Sequence, residues 1–278
     1  MKLKSVATFN LLIALGVVSA MTVSTDALAL SSKLGVSTGS KAIQLQETVD
    51  EDMLKTLAEG GEPMAQYLMG RRYRDGEDGH ARNYELALEW YIKAANNGFA
   101  PAQIDLGQLF ADGEGVEKNM SKAVKWFKKA AEQGYATAQF NMGNMYRQGE
   151  GVKQDLEKSA YWYEKAANNG FAHAQFNLAL MYYYGKGVKK DDKKVLYWYE
   201  RAANQGVTRA QYLLGAMHEA GVATPRNVVE ALHWYSKASD AGDADAYRAM
   251  NELVTVLSEE ERDQAKSRGL LAVDLATQ

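Results

Sequence analysis

The chain of 278 residues contains no cysteine. That excludes disulfides, thiolate metal sites, a cysteine nucleophile and a lipid-modified cysteine at a processed N-terminus. Only three prolines occur, so little in the sequence interrupts long helices. Charge of one sign is also lacking. Thirty-two Lys and Arg stand against 35 Asp and Glu, a net −3, which excludes the strong basic excess that nucleic-acid binding calls for. Long apolar runs are confined to Leu11–Val23, which is short for a membrane span of about 20 residues. The four histidines, His80, His173, His218 and His233, share no metal-ligand spacing, and no cofactor or metal is expected.

Residues 1–29 read as an export leader. Lys2 and Lys4 form a positive start, Leu11–Val18 the apolar centre, and Ala27-Leu28-Ala29 a small-x-small cleavage pattern, with Val18-Ser19-Ala20 as a second candidate. Export to the periplasm or beyond is expected, with no membrane insertion once the leader is removed. Residues 30–45 show no sustained period and many small polar residues, which reads as a flexible lead-in.

From there self-similarity dominates. Tryptophans stand at 90, 126, 162, 198 and 234, each step being 36. Ala-Gln pairs begin at Ala65, Ala102, Ala138, Ala174 and Ala210, and glycines close each unit at 98, 134, 170, 206 and 242. Each unit parses as two helices. The first runs from the Ala-Gln pair with apolar residues three and four apart, and stops at a glycine. A turn such as Gly149-Glu150-Gly151-Val152 follows. Seven residues before each tryptophan stands Asn83, Asn119, Asp155, Asp191 or Asn227, suited to cap the second helix. Residues 47–59 resemble a lone second helix ahead of the first unit. At the far end Ser258-Glu259-Glu260-Glu261 is a capping box opening a charged last helix to about Lys266. The expected repeats are about 64–100, 101–136, 137–172, 173–208 and 209–244, within one solenoid of residues 46–268, with a cap at 245–268 and a tail at 269–278.

These residues resemble the Sel-1-like repeat family, relatives of the tetratricopeptide solenoids. The third unit carries the pattern nearly throughout: Ala138, Gln139, Met142, Gly143, Tyr146, Gly149, Gly151, Val152, Asp155, Trp162, Tyr163, Lys165, Ala166, Ala167 and Gly170. The resemblance implies an all-α, right-handed superhelical solenoid of five helix-turn-helix repeats with capping helices at both ends, a concave groove lined by the first helices, and adaptor or scaffold roles. Some cysteine-rich relatives act on β-lactams, but their cysteine framework is missing here. The first loop (Gly76 to Gly79), Ala179 and the Gly221–Pro225 loop depart from the pattern.

Positions that never change among the units serve stacking. On that ground the tryptophans read as structural; the helical glycines Gly70, Gly107, Gly143 and Gly215 allow close helix approach, and the Gly-x-Gly loops, each following a helix and recurring every 36 residues, read as turns rather than phosphate cradles. Variable positions face solvent or a ligand. The third, sixth and tenth residues after each leading Ala fall near one face. They are Leu68, Arg71 and Asp75; Asp105, Gln108 and Asp112; Asn141, Asn144 and Gln148; Asn177, Leu180 and Tyr184; and Leu213, Ala216 and Ala220. This face grades from charged, through amides, to apolar, and Tyr182-Tyr183-Tyr184 adds an aromatic cluster of the kind that anchors protein partners. The expected partner site comprises Arg71, Asp75, Asp105, Gln108, Asp112, Asn141, Asn144, Gln148, Asn177, Leu180, Tyr183 and Tyr184. The reading is a non-enzymatic scaffold binding a protein or peptide, with an immunity or adaptor role for a secreted effector as its specific form. Two alternatives stay open: a hydrolase of cell-wall or β-lactam chemistry, and a structural spacer.

Overall fold

The computed structural model describes residues 51–76 and 81–271. The leader and lead-in expected at 1–45, His80 and most of the 269–278 tail lie outside the described residues. Thirteen α-helices and no strands occupy the described chain: α1 (Glu51–Glu59), α2 (Pro63–Asp75), α3 (Tyr84–Asn96), α4 (Ala100–Asp112), α5 (Met120–Glu132), α6 (Ala136–Gln148), α7 (Leu156–Asn168), α8 (Ala172–Tyr184), α9 (Asp192–Asn204), α10 (Thr208–Ala220), α11 (Val228–Asp240), α12 (Ala244–Thr255) and α13 (Glu259–Ser267). They fall into two compact units, one ending at Lys118 and the other beginning at Asn119. In the first, α1 to α4 pack each on the next. In the second, α5 to α12 do the same and α13 folds back on α11. Sequential packing of helix on neighbouring helix is the arrangement of an α-solenoid.

The helix ends are written into the sequence. Asn83, Asn119, Asp155, Asp191 and Asn227 are the N-caps of α3, α5, α7, α9 and α11, each accepting a backbone N–H three residues on. That satisfies one of the orphan donors of the first turn. Ser258 and Glu261 form the expected reciprocal capping box at α13. In the Gly-x-Gly turns the first glycine ends the helix and the second makes room. At Gly187 a Cβ would run into the Leu156 carbonyl, and at Gly151 into that of Met120. Each turn thus lies against the second helix of the preceding repeat, which leaves no cradle for a phosphate.

The core is made chiefly by the aromatic residue after each tryptophan. Tyr91, Phe127, Tyr163, Tyr199 and Tyr235 are all buried. The rings of Tyr91, Tyr163 and Tyr235 lie on Gly70, Gly143 and Gly215, where an added Cβ would stand 2.5–2.8 Å from ring carbons. Each such ring contributes about 1.5–3 kcal/mol by leaving water. The tryptophans pack less deeply. Trp162, Trp198 and Trp234 are buried, whereas Trp90 and Trp126 are half-buried beneath the ammonium groups of Lys93 and Lys129, 4.0 and 4.3 Å from the ring centres.

The Ala-Gln pairs do a job the helical stripe did not suggest. All five glutamines are buried. Gln66, Gln103, Gln139, Gln175 and Gln211 each donate from Nε2 to the carbonyl eight residues back, at 3.0–3.1 Å. Those carbonyls lie in the last turn of the preceding helix, so the side chain of each first helix closes the end of the helix before it.

Candidate functional site

In the first unit the charged residues of the first helices satisfy one another. Arg74 Nε donates to Asp75 at 2.7 Å, and its Nη1 reaches Asp105 at 3.4 Å. Tyr67 donates to the same Asp105 oxygen at 3.1 Å, and Arg71 stands 3.8 Å from Asp75. Gln108 donates to Asp112 at 2.7 Å. Burial holds the Asp105 carboxyl above its ordinary range, against the opposing pull of the Tyr67 hydrogen bond and the Arg74 charge. Tyr67 is pushed up to about 12 by the same burial and by the carboxylate. The hydrogen bond from Arg74 keeps Asp75 below the carboxylate range. Arg71, Asp75 and Asp105 therefore form one network. Its other members, Tyr67 and Arg74, escape a three-and-four spacing argument because they point across the helix to their partners.

In the second unit the amide positions divide. Asn144 accepts from the Tyr163 hydroxyl at 2.6 Å, and Arg147 Nε donates to that same hydroxyl at 3.2 Å. Asn177 lies within reach of Tyr163 as well. Both amides thus help hold the core ring. Asn141 is half-buried and Gln148 exposed at the end of α6.

The apolar positions come together. Leu180, Tyr183 and Tyr184 of α8, Asp192 and Tyr199 of α9, Leu213, Ala216 and Met217 of α10, and Val222 line one open cavity of about 290 Å³. Tyr183 and Tyr184 are 52% and 56% exposed and meet edge to face, with ring centres 4.9 Å apart. Tyr182 departs from the expected cluster: it is buried, and Lys194 Nζ donates to its hydroxyl at 3.1 Å. The cavity arises because repeats four and five place apolar side chains where repeats two and three are polar. Leu180 stands where Gln108 and Asn144 do, Leu213 where Asp105 and Asn141 do, and Val222 where Glu114, Glu150 and Lys186 do.

The face positions missed Val222 and Tyr199, as well as Asp192 and Met217. The substitution of Val for a charged loop residue was the legible signal for the first. The second, like Tyr91, differs in bonding from its equivalents in repeats three and five. Tyr163 and Tyr235 have partners, the latter Glu219 at 2.7 Å, whereas no described residue bonds the Tyr199 hydroxyl. Beside the cavity, Ala223 takes φ 61° at the position of the second turn glycine, the one non-glycine residue at positive φ among the described residues.

Among the described residues no group of three or more His, Asp or Glu is placed to hold a metal ion, and no helix is long and apolar enough to cross a membrane.

Paired helices of constant length, glycine turns and glutamine closures recurring at one period define an α-helical repeat protein. The Sel1 repeat matches at residues 63–99, 100–135, 136–171, 172–207 and 208–243, and the chain belongs to the Sel1 repeat family. No curated protein matches it significantly in sequence. Among solved structures, c5321, a protective antigen present in uropathogenic Escherichia coli strains and displaying an SLR fold, is 29% identical over 90% of this chain, with a TM-score of 0.73. The chain spans 57% of the length of c5321. A Sel1 repeat protein from Oxalobacter formigenes is 32% identical over 83% of this chain and 98% of its own, with a TM-score of 0.69. Immunity protein Pa5087 from Pseudomonas aeruginosa is 26% identical over 66% of this chain and 68% of its own, at a TM-score of 0.41, too low to carry anything across.

Proposed function

We propose that this Sel1 repeat protein is an exported interaction scaffold that holds a partner protein on the first-helix face of repeats four and five. The observation that carries the reading is the cavity floored by Leu180, Leu213 and Ala216 and flanked by Tyr183 and Tyr184. More than half of each tyrosine is exposed although both stand on a well-packed helix. Exposed apolar side chains ringed by polar ones mark binding surfaces more often than chance, and tyrosine anchors supply contact area at small entropic cost. Export rests on the leader pattern of residues 1–29. An immunity or adaptor role toward a secreted bacterial effector is the specific form of this reading, by analogy of fold alone.

The test is an affinity capture from envelope extract with the full chain and with Tyr183→Ala/Tyr184→Ala, after circular dichroism shows that both fold. The captured protein is then purified and titrated calorimetrically. A partner that binds the wild type directly and loses at least about tenfold in affinity to the double variant supports the reading. Equal binding to both removes the site from this face, and no direct binding removes the reading itself.

A further inference from the structure

The cavity's surroundings narrow the chemistry of its occupant, provided that it is a docking site. The segment that joins α8 to α9 and begins α9, residues 186–194, carries Lys186, Lys189, Lys190, Lys193 and Lys194 against Asp191 and Asp192. The same segment of repeat three, residues 150–158, has two lysines against three carboxylates. The cations are therefore concentrated in repeat four, whose two helices supply five of the nine residues that line the cavity. One of them reaches its wall. Lys186 Nζ stands 5.5 Å from the centre of the Tyr184 ring, which forms the cavity wall. Lys186, Lys189, Lys190 and Lys193 are all exposed.

The two carboxylates of the segment do not cancel this charge. Asp191 accepts the backbone N–H of Lys194 at 3.1 Å as the cap of α9, and Asp192, which also lines the cavity, lies in the first turn of the same helix. The positive end of the helix takes up part of both charges. Nor do the first helices of this unit supply acid. α6 and α8 have none, and Glu219 of α10 is committed to the Tyr235 hydroxyl at 2.7 Å. The first unit is different, since Asp75, Asp105 and Asp112 lie on its first helices.

We infer that the cavity takes a large apolar side chain of a peptide segment whose flanking residues are acidic. The apolar walls desolvate the anchor. The lysine rim draws the flanks in and sets their register, an electrostatic preference that shows itself in selectivity and salt dependence. The Tyr199 hydroxyl, bonded by no described residue, is available to a polar group of the bound segment.

Three fluorescein-labelled synthetic peptides test this by fluorescence anisotropy with the full chain. One has a Phe-Leu core between glutamate triplets, one the same core between lysine triplets, and one a Ser-Ser core between glutamate triplets. The glutamate-flanked Phe-Leu peptide is expected to bind at least about tenfold more tightly than either of the others, and to weaken as salt rises. Lys186→Glu/Lys190→Glu should reverse the flank preference, and Tyr184→Ser should weaken both Phe-Leu peptides alike. All these residues are exposed, and thermal unfolding checks that the variants fold. Equal binding of the lysine-flanked peptide overturns the acidic-partner inference and leaves the docking reading standing. Equal binding of the Ser-Ser peptide overturns the cavity as the anchor. Binding of none of the three overturns the inference, while the capture experiment above decides the docking reading separately.

Discussion

Asp105 sits with its side chain 24% exposed, bonded by Tyr67 and facing Arg74, and its carboxyl is still held above the ordinary value of 3.8 by burial. The folded chain therefore keeps that proton more tightly than the unfolded chain does. The resulting stabilisation is fully present below pH 3.8 and is lost as pH rises through the raised folded value. Asp105→Asn preserves an acceptor for Tyr67 and removes the charge. Urea unfolding at pH 7 should show the variant at least as stable as the wild type, and its advantage should shrink as the pH is lowered toward 3.8. A variant weaker at pH 7 than in acid would mean that the Arg74 ion pair outweighs burial. At Gly143 the argument is steric. A Cβ there would meet the Tyr163 ring at 2.5–2.6 Å, while the ring is pinned through its hydroxyl by Asn144 and Arg147. Gly143→Ala should cost about 1–3 kcal/mol in unfolding free energy, the ordinary cost of overfilling a tight core.

Between helices the repeating bond is the glutamine closure, and it has a second half. The oxygen of Gln66 accepts from Asn97, that of Gln139 from Asn169, and that of Gln175 from Gln205, each donor standing at the end of the next second helix. Asn97 and Asn169 also reach the carbonyls of Gly61 and Gly134, binding one repeat to the next. The series breaks at its last step. Ala241 occupies the donor position, and the buried oxygen of Gln211 has no partner among the described residues. Ala241 has φ −84° and ψ 5°, close to the −79° and 9° of Asn169, so an asparagine fits that backbone. Ala241→Asn should raise stability by about 1 kcal/mol, the worth of one net hydrogen bond or of one buried acceptor satisfied, read as a higher urea midpoint with unchanged slope. No gain would mean that the Gln211 oxygen is already hydrated. The elements themselves were legible because period, caps and turn glycines agree at every repeat. The closure was not, because a glutamine on a helical face reads the same whether its amide meets water or a carbonyl eight residues back. The amide at four of the five donor positions was the visible trace.

At the scale of the whole chain, the five-repeat all-α organisation followed from spacing alone, since a unit that cannot bury its own apolar face must be stacked on copies of itself. The gradient from charged to apolar along the first helices was legible in the same way. What each charge does was not, because pairing depends on the rotation of neighbouring helices. In the first unit Arg71, Asp75 and Asp105 turn toward one another, which leaves little unspent charge to recognise a partner. In the second unit Asn144 is consumed in the core, while Tyr183 and Tyr184 on the cavity wall stay more than half exposed. The two halves of the expected site should therefore answer differently to substitution. Exposed or half-exposed ion pairs contribute about 0–1 kcal/mol each, so Arg71→Ala/Asp75→Ala should lower stability slightly and leave affinity for the captured partner within about twofold. Leu213→Asp places a charge in the apolar floor of the cavity, where it has no cation within the walls to pair with. It should reduce affinity by more than about tenfold at little cost to the helical signal. Titrating one partner against both variants makes the comparison internal. Loss of affinity in the Arg71 and Asp75 variant, with Leu213→Asp unaffected, would move the binding face from the second unit to the first.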